Sequence, residues 1–267
     1  MTEFGGQVIV VTGASEGIGR AFCLALAPQG VKFALAARNE ERLQSLKEEV
    51  VALGSEALIL PTDVTDERAC KQLIEQTVAA WGRIDVLVNN AGGTMWTIFE
   101  EITDLSLFER LMRLNYLSCV YTTYHALPYL KASKGRIMAM SSVAGLTGVP
   151  TRTGYAAAKH AMFGFFDSLR IELAPHGVSV TMVAPGFVLS EIHRRALGSD
   201  GRAIGKSPMK ADKIMTAEAC AALMVEALSR RQRLLLPSAR GRLARWLKLI
   251  APARMDALAA KAIREKK

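Results

Sequence analysis

Short, nearly continuous apolar runs alternate along the chain with longer amphipathic ones. Residues 8–12, 32–37, 57–60, 84–88, 136–140 and 178–183 are largely apolar, the pattern of strands covered on both faces. Between them, 17–28, 40–52, 66–80, 104–131 and 153–174 carry helical spacing, and a helix at 216–229 leads into a seventh strand at 233–236. Strand–helix alternation predicts an α/β fold: a doubly wound parallel sheet of about seven strands, with right-handed crossovers and helices on both faces. The least regular stretch is 190–215. It holds Gly198, Gly201, Gly205 and Pro208, and reads as a mobile flap.

Composition narrows the class. The chain has 267 residues, 50% of them apolar, enough to build a core within a unit spanning 1–238, with 239–267 as an extension. No apolar stretch reaches the ~20 residues that span a bilayer. The first residues lack the basic, apolar and small-residue succession of a secretory signal, so a cytoplasmic location is expected. Cys23, Cys70, Cys119 and Cys220 lie far apart without a CxxC pair or Cys/His cluster. They read as small buried hydrophobes in a reducing compartment, and no metal site is expected.

The net charge of +9 is uneven. Residues 230–267 hold twelve Lys/Arg and two Asp/Glu, leaving 22 basic and 23 acidic residues elsewhere. The basicity belongs to the tail, which argues against a nucleic-acid-binding body.

Thr12-Gly13-Ala14-Ser15-Glu16-Gly17-Ile18-Gly19 joins the first strand to the first helix. In a phosphate-binding turn, Gly13 turns the chain sharply, Gly17 admits a pyrophosphate and Gly19 lets helix and sheet pack closely. The helix N-terminus then offers N–H groups and positive potential to the phosphates. The spacing is G-x3-G-x-G, and an ordinary glycine-rich turn would look the same in isolation. A Walker A loop is excluded, because no Gly-Lys-Ser/Thr follows. The second strand ends in Ala36-Ala37-Arg38-Asn39. An acid there would favour NAD, whereas Arg38 suits the 2′-phosphate of NADP. Glu16 points the other way, placing negative charge in the phosphate loop.

Tyr155 and Lys159 are four apart on a helical stretch and share a face. An ammonium beside a phenol lowers its pKa toward the range useful for proton transfer. With Asn89-Asn90-Ala91-Gly92, Ser142 and Asn115 at matching intervals, the sequence resembles the short-chain dehydrogenase/reductase family in its ordinary compact branch. The resemblance covers residues 7 to about 190 and implies a Rossmann fold.

The resemblance also implies roles. Tyr155 would be the general acid or base, and Lys159 would lower its pKa and bind the nicotinamide ribose. Ser142 would hold the substrate oxygen, and Asn115 would fix a relay water. Cofactor contacts would come from Gly13, Ser15, Gly17, Ile18, Gly19, Arg38, Asp63, Val64, Asn89, Ala91, Gly92, Tyr155, Lys159, Pro185, Gly186, Val188 and Ser190. Asp63 would accept from the adenine amine.

The family implies an NAD(P)-dependent alcohol or ketone oxidoreductase, with NADP favoured here over NAD, and a homodimer or homotetramer. Resemblance to hydroxysteroid dehydrogenases and ketosphinganine reductases implies a hydrophobic, steroid-like or lipid-like substrate. Residues 93–97, 143–152 and 191–215 would line it, including Met95, Trp96, Val143, Leu146, Val149, Leu197 and Met209. These apolar residues would equally suit a subunit contact. A catalytically silent sensor or scaffold of the same fold is the alternative, although Ser142, Tyr155, Lys159 and Asn115 are all present.

In the tail, Leu243, Trp246, Leu247 and Ile250 form one helical stripe beside Arg240, Arg242, Arg245 and Lys248. A second piece follows Pro252, with Met255, Leu258, Ala259 and Ile263, and ends in Lys266-Lys267. A basic amphipathic pair with Trp suits peripheral contact with an anionic membrane, and suits equally a helix docked on protein.

Overall fold

The structure, a computed structural model, describes residues 3–206 and 214–264, and no side chain at 240 or 261–264. The predicted positions Pro208, Met209, Lys266 and Lys267, and the side chains of Arg240 and Ile263, lie outside what it describes.

Seven strands form one parallel sheet: β1 (Val8–Thr12), β2 (Lys32–Ala37), β3 (Glu56–Pro61), β4 (Val86–Asn89), β5 (Arg136–Met140), β6 (Ser179–Val183) and β7 (Leu234–Leu235). Their order is β3-β2-β1-β4-β5-β6-β7, so chain direction across the sheet reverses between β1 and β4. In such sheets the crevice at that reversal, beyond the carboxyl ends of the strands, is where ligands bind.

Alternate strand residues feed two cores. Ile9, Val11, Phe33 and Leu35 pack on one face with Phe22 of α1 (Gly17–Leu26), Leu43 of α2 (Glu40–Ala52) and Met224 of α7 (Ala217–Ser229). Val10, Ala34 and Leu87 pack on the other with Leu73 of α3 (Glu67–Trp81), Leu130 of α5 (Ser118–Ser133) and Phe166 of α6 (Thr153–Leu173). The period of two along each strand separates the cores, and covering both faces explains the apolar runs.

The helix expected over 104–131 runs without a gap over 106–133, but not all of it is α-helical. It divides into α4 (Ser106–Met112), a π-helical turn (Arg113–Leu117) and α5. Isolated bridges tie the described part of 190–215 to its surroundings. Leu197 bridges Met95 and Ala203, and Val188 bridges Met215. After β7 come α8 (Ala239–Ile250) and α9 (Pro252–Arg264). No described helix is long and apolar enough to cross a membrane. All four cysteines are buried, and burial raises each thiol pKa.

Candidate active site

The turn between β1 and α1 is shaped by glycine. Gly13 and Gly17 have φ of +65° and +56°, where side-chain-bearing residues are strained. A Cβ on Gly19 would sit 2.3 Å from the Gly13 carbonyl oxygen and 2.5 Å from Asn90 Nδ2. Gly19 therefore serves packing. Asn90 Nδ2 donates to the carbonyls of Thr12 and Gly13 at 3.1 Å each, and the Thr12 hydroxyl accepts from the Asn90 and Ala91 N–H groups. These bonds lash the ends of β1 and β4 together at the sheet reversal.

Helices α2, α3, α7 and α8 are capped by the side chains of Asn39, Asp66, Thr216 and Ser238. Helix α1 has no side-chain cap and no acid in its first turn. Its leading N–H groups, reached past a glycine turn, suit an anion. A cavity of about 260 Å³ lies alongside, lined by Ser15, Glu16, Gly17, Arg20, Arg42 and Ser45. Glu16 is held by Arg42 of α2 and by Arg195, the latter at 2.6 Å from Arg195 Nη2. Its charge is thus matched by two guanidiniums. Arg38, at the end of β2, is exposed, and among the described residues no carboxylate closes an ion pair with it.

Asp63 and Val64 follow β3. Burial would raise the Asp63 carboxyl, but bonds from the Thr65 N–H and hydroxyl, with the Arg38 charge, hold it below the usual carboxylate range. Asn89 does not face the crevice with a free amide. Its Nδ2 donates to Thr123 at 3.0 Å and its Oδ1 accepts from Thr122 at 2.6 Å, which ties β4 to α5.

The π turn carries Asn115. The Ser118 N–H reaches back five residues to the Arg113 carbonyl. The buried Asn115 side chain donates to the Leu111 carbonyl at 3.0 Å and accepts from the Gly93 N–H at 3.2 Å. A Cβ on Gly92 would meet Asn115 Oδ1 at 2.8 Å and Lys159 Nζ at 3.6 Å. Glycine at 92 is what lets the end of β4 approach both.

Ser142 follows β5, accepts from the Ala144 N–H at 3.2 Å and is within hydrogen-bonding reach of the Tyr155 phenol. Lys159 Nζ lies 5.7 Å from the Tyr155 ring centroid and donates to the Met140 carbonyl at 2.7 Å. Both are buried. Burial brings Lys159 down to about 8. Burial raises Tyr155, outweighing the Ser142 hydrogen bond and the Arg152 charge that act to lower it. The Arg152 guanidinium is the cation that acts to lower the phenol in these surroundings.

Pro185 and Gly186 follow β6, and Val188 and Ser190 continue past them. A Cβ on Gly17 would meet Ser190 Cβ at 3.3 Å, so this segment lies over the turn. Gly13, Gly17, Gly19, Arg38, Asp63, Asn115, Ser142, Tyr155 and Pro185 thus gather along the carboxyl edge of the sheet. Sequence reasoning passed over Asn90, Arg42, Arg195 and the charge on Arg152. Only Asn90, inside a recognised tetrad, carried a usable local signal.

The short chain dehydrogenase family matches residues 7–199. The chain belongs to the short-chain dehydrogenase family. It is 34% identical over 260 residues to "11-beta-hydroxysteroid dehydrogenase A" of Sesamum indicum, covering 95% of this chain and 74% of that protein. It is 40% identical over 184 residues to "11-beta-hydroxysteroid dehydrogenase-like 4A" of Arabidopsis thaliana, 68% of this chain and 61% of that one. A short chain dehydrogenase/reductase from Burkholderia phymatum, solved in complex with NAD, superposes with a TM-score of 0.80 at 26% identity, covering 92% of this chain and 95% of that one. An alcohol dehydrogenase from Thermococcus sibiricus, complexed with 5-hydroxy-NADP, gives 0.75 at 26% identity, covering 86% and 95%. This family member therefore carries the sheet and crevice of oxidoreductases that hold nicotinamide cofactors.

Proposed function

We propose that the protein is an NADP-preferring oxidoreductase acting on a carbonyl or secondary alcohol of a hydrophobic small molecule, steroid-like or lipid-like. One observation carries the reading: Ser142, Tyr155, Lys159 and Asn115 converge at the same sheet edge as the uncapped, glycine-shaped N-terminus of α1.

The turn at Gly13–Gly19, with Ser15 and Ile18, would hold the pyrophosphate, and Asp63 and Val64 the adenine. Lys159 would hold the nicotinamide ribose, and Val188 and Ser190 the carboxamide. A nicotinamide cofactor bound there supplies or accepts the hydride. Tyr155, kept protonated by burial, gives its proton to the carbonyl oxygen in reduction. The Ser142 hydroxyl steadies that oxygen as charge develops on it. Lys159, brought to about 8 by burial, would pass a proton inward, and Asn115 would position the water that refills it.

Support for NADP is the exposed Arg38, which closes no ion pair among the described residues, together with a Glu16 whose charge two arginines already offset. Support for an apolar substrate is the apolar cluster of Met95, Val149 and Leu197 packed around Tyr155, with Trp96 stacked on the neighbouring Arg152. The test is NADPH oxidation with a panel of steroids, long-chain ketones and oxo acyl compounds, beside Tyr155→Phe. Loss of about 10²–10⁴-fold in Tyr155→Phe, with NADPH binding kept, is the expected result. Wild-type turnover no higher than that of Tyr155→Phe on every compound would favour the silent cofactor-binding alternative.

The reading includes two contacts. A homodimer or homotetramer would cover Tyr124 of α5 and Ile171 of α6, which are 71% and 73% exposed; sizing by light scattering tests it. An anionic membrane surface would take α8 and α9, whose exposed face combines Leu243, Trp246, Leu249, Ile250 and Leu258 with Arg242, Arg245 and Lys248.

A further inference from the structure

Arg152 is a buried cation with no anionic partner among the described residues. It precedes α6, three residues before Tyr155, and is 6% exposed. Its Nη2 is fully enclosed and has no hydrogen-bond partner. The guanidinium is walled by aromatic rings instead: Cζ stands 4.5 Å from the Trp96 ring, 4.9 Å from Phe187 and 6.0 Å from Tyr155. Cation–π contacts recover part of the desolvation cost, but a ring face does not satisfy an in-plane N–H donor. Burial lowers the guanidinium pKa, and the group that opposes this is the Tyr155 phenol, with no carboxylate contributing.

The backbone that delivers this cation is itself strained. Thr151, the preceding residue, has φ +66°, a region costly for a β-branched residue. It is held there by the Thr97 N–H donating to the Thr151 carbonyl at 3.0 Å, and the Arg152 N–H donates to the Val149 carbonyl at 3.2 Å. A solvated loop arginine needs no such hold. An unpaired buried charge and a strained turn together, beside the proton-transferring phenol, are costs that a ligand repays.

We propose that Arg152 anchors a carboxylate on the substrate, so that the site takes oxo acids, or the corresponding hydroxy acids, with an apolar body. The planar guanidinium matches a carboxylate by two parallel hydrogen bonds, and it does so better for being enclosed. Its position 6.0 Å from the Tyr155 centroid sets the carboxylate a few bonds from the reacting carbonyl. Trp96 and Phe187 then hold the apolar body and exclude water. This deepens, and rests on, the reading of the crevice as a carbonyl oxidoreductase.

The test compares phenylglyoxylate and benzoylpropionate, each beside its methyl ester, in wild type, Arg152→Lys and Arg152→Met. Binding of phenylacetate against phenylacetamide is followed in parallel by thermal shift with NADPH present. For wild type, kcat/KM should favour at least one acid over its ester by about tenfold or more, mainly through KM. The ratio should fall to about one in Arg152→Met and stay between in Arg152→Lys. Phenylacetate should stabilise wild type and not Arg152→Met.

Removing an unpaired buried charge should also leave the Tm of Arg152→Met at or above that of wild type. Esters reduced as fast as acids by wild type would overturn the anchor while leaving the oxidoreductase reading intact. A lower Tm with an unchanged acid-to-ester ratio would assign Arg152 a structural role and also overturn it. Arg152-dependent binding of phenylacetate without turnover of any compound would uphold the anchor and remove the oxidoreductase reading instead.

Discussion

Lys159 Nζ lies 5.7 Å from the centroid of the Tyr155 ring, one helical turn on, and donates one of its three hydrogens to the Met140 carbonyl at 2.7 Å. Burial brings this lysine down to about 8. Above that pH the folded protein holds it neutral, while the unfolded chain keeps it protonated up to the ordinary lysine range. The unfolded state then binds more protons, so stability rises with pH between about 8 and ~10.4. Below about 8 the buried ammonium costs on the order of 3 kcal/mol. Lys159→Met should raise the Tm at pH 7, less about 1 kcal/mol for the lost bond to Met140. The gain should shrink toward zero near pH 10. Melting curves across that range decide it, and a gain independent of pH would show that the ammonium is not destabilised by burial.

The same pair predicts a pH dependence for each direction of the reaction. Tyr155 is raised by burial, so it stays a proton donor at neutral pH. Ketone reduction should be flat below pH 8 and decline above it as Lys159 loses its proton, while alcohol oxidation should rise over the same interval. Steady-state kcat measured in both directions from pH 6 to 10 tests this; reduction that climbs through pH 8 would contradict the assignment.

Glu16 and Arg38 make the cofactor choice testable from two sides. Arg38→Ala should weaken NADPH about tenfold or more and NADH little, as expected for loss of a charge-assisted grip on one phosphate. Glu16→Gln frees Arg42 and Arg195 beside the turn and should tighten NADPH. Fluorescence titrations with both cofactors measure each effect. An equal loss for NADPH and NADH in Arg38→Ala would remove the 2′-phosphate assignment.

Gly19 and Gly17 should respond differently to alanine. At Gly19 the new methyl meets backbone and the Asn90 amide within 2.5 Å, so the turn must move. A loss of about 1–3 kcal/mol and failure to bind nucleotide are expected. At Gly17 the nearest atom is Ser190 Cβ at 3.3 Å, and the cost is mainly positive φ, about 1–2 kcal/mol. Denaturant midpoints and nucleotide titration compare the two. Equal tolerance at both positions would show that the turn is not set by the Gly19 contact.

The strands were legible because both faces of the sheet are covered, so most strand positions are apolar and charged residues such as Lys32, Glu56 and Arg136 stand only at strand starts. The break at Arg113–Leu117 was not, since the apolar spacing of a helix continues through a π turn. What shifts the ladder is a tertiary contact, Asn115 to the Gly93 N–H. Glu16 looked unfavourable in sequence because its partners are remote, Arg42 at 26 residues and Arg195 at 179. Arg152 was visible only as the charged end of a lining segment. That it is enclosed by Trp96 and Phe187 follows from how the loops after β4 and β6 meet, which no local pattern encodes.

The tail stripe of α8 is split in its exposure. Ala244 and Leu247 are half-buried, whereas Leu243, Trp246, Leu249 and Ile250 are 61–78% exposed. Leu249, which interrupts the polar face in sequence, thus joins the exposed apolar one. Helix α8 sits against the turn that follows Ser142: a Cβ on Gly241 would meet Val143 Cγ2 at 2.9 Å, and Lys248 Nζ lies 3.4 Å from His160 Nε2. A bilayer taking this face would therefore hold the crevice mouth near the lipid surface, where amphipathic substrates collect. Vesicles containing phosphatidylserine should pellet the wild type, and neutral vesicles should not. Trp246→Ala with Leu249→Asp should abolish pelleting, and Arg245→Glu should weaken it by roughly 1 kcal/mol or more, in each case with NADPH binding retained. Pelleting that survives the apolar pair of substitutions would assign the exposed face to a protein contact instead.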